Sequence, residues 1–121
     1  MHKVLLVEDD ANMVTLLKTY LELEGFQVIA PIANNREQIV ALAKKEAPNL
    51  LLLDVHLNRQ NGLDVLQDIR QAGNGRHPYV IMMSGSDLRE ECLHAGADAF
   101  MMKPYMPSDL VVLMRSLLTA G

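Results

Sequence analysis

Four apolar runs in this chain end in side chains able to do chemistry. Glu8-Asp9-Asp10 follow Val4–Val7, Asp54 closes Leu50–Asp54, Ser84 closes Tyr79–Ser84, and Lys103-Pro104 follow Ala99–Met102. Brought to one edge, Asp9 and Asp54 would face each other as like charges. At about 4 Å and an effective dielectric near 20 they repel by roughly 4 kcal/mol. Carboxylates so placed share a proton, gain a cation, or cost stability. Hard oxygen donors without a cysteine or histidine cluster favour Mg²⁺, which keeps several waters and needs only one or two carboxylates. His2, His56, His77 and His94 show no metal-ligand spacing. Lys103 emerges from Phe100-Met101-Met102, where an ammonium would neutralise the acids or pair with a phosphoryl oxygen. Taken singly, Lys103 reads as a surface lysine and Asp10 as a helix cap. The spacing leaves the Lys103–Pro104 isomer open, most X-Pro bonds being trans.

The elements that must hold these groups are legible in the pattern. Val4–Val7, Gln27–Ala30, Leu50–Asp54, Tyr79–Ser84 and Ala99–Met102 are of strand length, and several are apolar throughout, as strands covered on both faces would be. Helical spacing lies between them. Met13, Leu16, Leu17, Tyr20 and Leu21 form a stripe stopped by Gly25, and Ile39, Leu42 and Ala43 follow Asn35, an N-cap with Gln38 three residues on. Leu63, Leu66 and Ile69 predict a helix from about Gly62 to a Gly73-Asn74-Gly75 turn. Leu88 and Cys92 predict a short fourth helix closed by Gly96, and a fifth runs from about Pro107 to about Leu118. This alternation, without a hairpin signal, predicts an α/β fold: a doubly wound, five-stranded parallel sheet with helices on both faces, flavodoxin-like, (βα)5. Sites in such sheets lie beyond the carboxyl ends of the strands, where the acids, hydroxyl and ammonium stand.

The whole chain narrows the class. Its 121 residues suit one domain spanning 1–121, and 50% hydrophobic with 21% charged residues excludes a disordered or collagen-like chain. A formal charge of −4 argues against direct nucleic-acid binding. One cysteine excludes a disulfide scaffold and suits a reducing compartment. The short apolar run at the N-terminus is neither a signal peptide nor a membrane span, so a cytoplasmic, non-membrane location is expected. Cys92 reads as a small buried apolar residue and the 8 methionines as core filler.

With these residues in order, the chain resembles the receiver domain of bacterial two-component response regulators over essentially its full length. The resemblance rests on the acidic pair, Asp54 in Leu-Leu-Leu-Asp-Val, Gly62, Ser84 and Lys103-Pro104. It implies that Asp54 is the phosphoacceptor, attacking a phosphohistidine of a sensor histidine kinase or phosphotransfer protein. It implies that Asp9 and Asp54 bind Mg²⁺ (or Mn²⁺), with Glu8 acting mostly through water and the backbone carbonyl of His56 completing the ligands. Ser84 would donate its hydroxyl to the phosphoryl group and Lys103 would pair with another phosphoryl oxygen. Such a domain is a signalling phosphoacceptor rather than an enzyme with turnover. Ser84 and Phe100 would be the switch pair, with Ser84 moving toward the phosphoryl group and Phe100 filling the space. The surface of the fourth helix, fifth strand and fifth helix would carry the signal to an output domain, an effector or a second copy. His56 and Ser86 stand where side chains could tune phosphoryl lifetime. Three positions depart from the family's common pattern. Ser84 lacks the β-branch of threonine. Phe100 lacks a tyrosine's hydroxyl, and Asn58 stands where proline is common.

Two other readings use a similar sheet. A Mg²⁺-dependent phosphohydrolase would want Asp-x-Asp after the first strand, where Glu8-Asp9-Asp10 stands, and room for a substrate cap. A flavodoxin-like cofactor binder would want Ser, Thr and Gly amides there rather than acids. In the fifth helix, Leu110-Val111-Val112-Leu113-Met114 is apolar on nearly every side, and of the basic residues common late in this helix among winged-helix regulators only Arg115 is present. The net charge is itself local: without Glu8, Asp9, Asp10 and Asp54, acids and bases balance.

Overall fold

The computed structural model describes residues 1–32, 35–58, 60–73 and 77–120, with only the backbone at 120. Five strands, β1 (Lys3–Val7), β2 (Gln27–Ile29), β3 (Leu50–Asp54), β4 (Tyr79–Ser84) and β5 (Ala99–Met102), form one parallel sheet in the order β2-β1-β3-β4-β5. Five helices connect and follow them: α1 (Ala11–Leu23), α2 (Arg36–Glu46), α3 (Gly62–Ala72), α4 (Arg89–His94) and α5 (Pro107–Ala120). The fold is the expected doubly wound sheet. The order reverses between β1 and β3, which opens a crevice at their carboxyl ends.

Alternation along the strands makes two cores. Leu5, Val7, Leu51, Leu53, Val80, Met82 and Phe100 pack with residues of α2, α3 and α4. Val4, Leu6, Leu50, Leu52, Ile81 and Met83 pack with Leu17 and Leu21 of α1 and Leu110, Val111 and Met114 of α5. Each fully buried leucine contributes roughly 1.5–3 kcal/mol of transfer free energy. This two-sided burial is why β3, and β4 after Tyr79, carry no polar residue until their last position.

Local signals set the helix ends. Asp10 Oδ1 accepts from the backbone N–H of Asn12 (3.0 Å) and Met13 (3.2 Å), so Asp10 is the cap of α1. Asn35 Oδ1 accepts from Gln38 N at 2.8 Å and starts α2. Replacing Asn35 with Ala is expected to cost about 1 kcal/mol in urea denaturation, with an unchanged slope, because that amide loses its partner. Gly25, at φ +96°, supplies the left-handed turn between α1 and β2.

Several expectations need adjustment. The second strand ends at Ile29, one residue early, and α5 continues to Ala120. Leu16 is 52% exposed and leaves the buried stripe of α1, which rests on Leu17 and Leu21. Of the valine pair in α5, Val111 is core and Val112 is 68% exposed, since neighbours on a helix are turned by about 100°. Met82, Met83 and Met114 fill the core, but Met1, Met102 and Met106 are exposed. A two-residue antiparallel ladder, His56–Leu57 with Gln60–Asn61, appears where no hairpin signal is legible. Asn74 and Gly75 of the expected turn, and Gly121, lie outside the described residues.

Candidate functional site

The predicted acids and lysine meet at the reversal of strand order. The end of β1 brings Glu8 and Asp9, β3 ends on Asp54, and the loop after β5 brings Lys103 across the sheet. One carboxylate oxygen from each of Glu8, Asp9 and Asp54 lies within 4.8 Å of the others. Lys103 Nζ donates to Asp54 Oδ2 at 2.6 Å and to Glu8 Oε2 at 2.9 Å. Asp54 Oδ1 accepts from the His56 backbone N–H at 3.2 Å. Asp54 is 3% exposed. The Glu8 side chain is nearly sealed, at 1%, whereas Asp9 is open to solvent.

Burial raises the Glu8 pKa, the Lys103 hydrogen bond opposes this, and the Asp54 charge adds to the rise. Burial works against the Lys103 ammonium, but hydrogen bonds and charges from Asp54 and Glu8 outweigh it and push that pKa up. Lys103 thus stays protonated and holds two carboxylates that would otherwise repel. Replacing Lys103 with Gln is expected to cost about 2–4 kcal/mol near neutral pH, because two largely buried carboxylates lose their cation. The Glu8 pKa, already raised by burial, would then rise further above its unfolded value because the Lys103 hydrogen bond that opposes the rise is lost. The folded state would bind the extra proton, so the variant should regain stability as pH falls from 7 toward 5. Urea denaturation at both pH values checks the sign.

One ammonium faces three carboxylates, so positive charge is still short by about what a divalent cation brings. The converging donors are all hard oxygens, the set that suits Mg²⁺ or Mn²⁺. Asp10, with its carboxylate committed to the α1 cap, is outside the cluster.

The remaining predicted residues flank this centre. Ser84 is fully buried at the end of β4, and its Oγ accepts from Ser86 N at 3.0 Å. The side chains of His56 and Ser86 are exposed, and each backbone N–H is the nearer participant. Phe100 is buried on β5. The Lys103–Pro104 peptide is cis. Cys92 is buried, and burial pushes its thiol pKa up to about 11, which makes it inert packing.

Two more residues build the site: Gly62, which the resemblance includes, and Tyr105, which it does not. A Cβ at Gly62 would stand 2.2 Å from the Asp54 carbonyl oxygen, so only glycine lets α3 begin against β3. Gly62 N also donates to Val55 O at 2.7 Å. Tyr105 packs behind Lys103, its hydroxyl donating to Met83 Sδ at 3.1 Å, and burial pushes its pKa up to about 12. An aromatic directly after Lys103-Pro104 is the sequence signal that would have found it. A groove of about 1090 Å³ leads away from Glu8 and Asp9 between α1 and the segment after β2, past Val14, Lys18, Pro31 and Ile32. A smaller cavity, about 530 Å³, opens near His2, Asn49 and His77 at the opposite edge and touches none of these groups.

Comparison with known proteins bears on the family and the fold. Residues 4–115 match the family model described as the response regulator receiver domain. The chain is 40% identical over 121 residues to the transcriptional regulatory protein CpxR of Klebsiella pneumoniae subsp. pneumoniae (strain HS11286), covering 98% of this chain and 50% of that protein. It therefore spans about half the length of such curated relatives. Among solved structures, the BeF3-activated N-terminal receiver domain of Klebsiella pneumoniae RstA superposes with a TM-score of 0.83 at 26% identity, covering 96% of this chain and 97% of that one. The receiver domain of the Francisella response regulator 1452 gives 0.87 at 22% identity, covering 99% and 98%, a likeness of fold. With most of its length matched by that family model, the chain belongs to the response regulator receiver domain family.

Proposed function

We propose that this domain is the phosphoacceptor of a two-component relay, with Asp54 taking a phosphoryl group from the phosphohistidine of a sensor histidine kinase or phosphotransfer protein. The observation that carries this reading is a single carboxylate, Asp54, buried at a strand end and held by Lys103 on one oxygen and the His56 amide on the other. An Asp54 oxygen attacks phosphorus, the bond to the donor nitrogen breaks, and an acyl phosphate forms. Lys103 is placed to follow the charge onto a phosphoryl oxygen. Ser86 N–H takes one lone pair of Ser84 Oγ, so the hydroxyl's own proton can serve a second phosphoryl oxygen. Asp9 and Asp54, with Glu8 and the His56 carbonyl, would hold Mg²⁺ or Mn²⁺. When bound, the ion supplies charge neutralisation for the incoming phosphoryl oxygens.

Phosphoryl transfer asks mainly for positioning and charge, and the domain acts on itself without turning over a small molecule. Its output runs through the α4-β5-α5 surface, where exposed Met102, Met106 and Val112 suit an output domain, an effector or a second copy. Direct nucleic-acid binding by this domain is not expected at a net charge of −4. No helix among the described residues is long and apolar enough to cross a membrane, and we place the domain in the cytoplasm with its kinase. Incubation with acetyl phosphate and Mg²⁺, read by intact mass, tests the proposal. A single acid-stable but base-labile phosphate adduct, lost when EDTA is present from the start, is the expected result. Absence of an adduct overturns it.

A further inference from the structure

Phe100 lacks the hydroxyl that would tether a tyrosine, yet its ring is only 3% exposed. The guanidinium of Arg89 lies over it, 5.5 Å from the ring centroid. Arg89 is the first residue of α4, a six-residue helix whose N-cap, Leu88, makes no side-chain cap hydrogen bond. The other end of α4 is tied down differently. Arg70 of α3 donates to Gly96 O from Nη2 (2.7 Å) and Nε (3.1 Å), to Pro78 O at 2.8 Å, and pairs with Asp98 at 3.1 Å. Asp98 in turn accepts from Val80 N at 2.8 Å. The C-terminal end of α4 is thus clasped to α3 and β4. Its N-terminal end, which follows the loop leading from Ser84 through Ser86, meets β5 through Arg89 and the Phe100 ring.

We propose that Arg89 is a positioning residue that latches Phe100 in its buried place and so ties the free end of α4 to β5. A cation over a ring face holds it by the ring quadrupole, without needing a ring hydroxyl. The latch gives this chain a polar tether from outside the ring. Moving α4 about its Arg70 clasp requires the guanidinium to leave the ring, so ring position and helix position change together. This inference rests on the phosphoacceptor reading where it bears on signalling, because Phe100 was assigned to the switch through that reading.

The chain has two phenylalanines, and both lie under an arginine: Arg115 stands 5.0 Å from the Phe26 centroid, on the α1-α5 side of the sheet. Protein labelled with 4-fluorophenylalanine therefore gives a reporter, Phe100, and an internal reference, Phe26, by fluorine NMR. In Arg89→Gln the Phe100 resonance should shift and gain a larger H₂O-to-D₂O isotope shift while Phe26 stays in place. Arg89→Lys should restore most of the difference. With beryllofluoride and Mg²⁺ as the phosphoryl mimic, Arg89→Gln should need about two- to fivefold less beryllofluoride for half-saturation, because the latch that must open is gone and one exposed cation–π contact carries that factor. A Phe100 resonance unchanged in Arg89→Gln overturns the latch, as does a change that Arg89→Lys fails to restore. If wild type shows no beryllofluoride response at either ring, the phosphoacceptor reading falls, and the spectra without beryllofluoride still decide the latch.

Discussion

Asp54→Asn is expected to abolish the phosphate adduct formed with acetyl phosphate and Mg²⁺. The amide nitrogen is no nucleophile, and the amide oxygen cannot form an acyl phosphate that survives. The loss should be complete rather than partial, because no neighbouring carboxylate is both open to a phosphodonor, as Asp9 is, and held by Lys103, as Glu8 is. Glu8 is nearly sealed and bonded to Lys103, and Asp10 is committed to its cap. The fold should persist, since Asn keeps the shape and Lys103 keeps Glu8 as a partner. Circular dichroism and a urea midpoint close to wild type would establish that. An adduct retained on Asp54→Asn would move the chemistry elsewhere. Asp9→Asn makes the complementary case: it leaves the nucleophile in place, so a slow adduct that needs more Mg²⁺ is expected. A phosphohydrolase would instead release phosphate continuously from the donor without a stable adduct, so the same assay separates the readings.

Gly62→Ala is expected to destabilise the domain by about 3 kcal/mol or more, a large share of the stability typical of a domain this size. The added Cβ would meet the Asp54 carbonyl oxygen at 2.2 Å and Val55 Cα at 2.9 Å. Both are backbone atoms of a buried strand end, so no flexible side chain can yield. Separating α3 from β3 would stretch the Gly62 N to Val55 O bond, at 2.7 Å a short contact. Alanine's better helix propensity returns at most about 1 kcal/mol. The same displacement moves Asp54 against Lys103. In protein that remains folded, the rate of adduct formation should fall about 100-fold, the scale set by ångström misplacement of a reacting group. Urea denaturation and the time course of the mass shift measure the two effects. A Gly62→Ala protein of wild-type stability would show that α3 can slide away from the strand, contrary to the packing described.

Much of this site is readable from local pattern because its carriers are local. A run of apolar residues buried on both sides breaks at its first polar residue, so Asp54 and Ser84 mark strand ends directly and Lys103 follows one, although Asp54 and Ser84 themselves stay buried. Asn35 with Gln38 announces a cap by spacing alone, and so does Asp10 before α1. Where local pattern misleads, a neighbour from far along the chain decides. Leu16 shares the helical period of Leu17 and Leu21 but faces outward, and the choice between Val111 and Val112 depends on where α5 meets the sheet. The Arg36–Asp68 ion pair between α2 and α3, and the Arg70 clasp, join charges that no motif pairs in advance.

What the chain by itself determines is the class of fold, the strand-end positions of the reactive groups, and the donor chemistry that suits a divalent cation. These follow from burial and from bonds made within a few residues. Tertiary structure alone decides that Lys103 bridges Glu8 and Asp54, across 95 and 49 residues of sequence. It alone seals Glu8 while leaving Asp9 open, requires glycine at 62, and lays Arg89 over Phe100. The physical reason is common to all four. Such contacts depend on strand order and on how closely elements approach, and a one-dimensional pattern of apolar and polar residues carries neither distance.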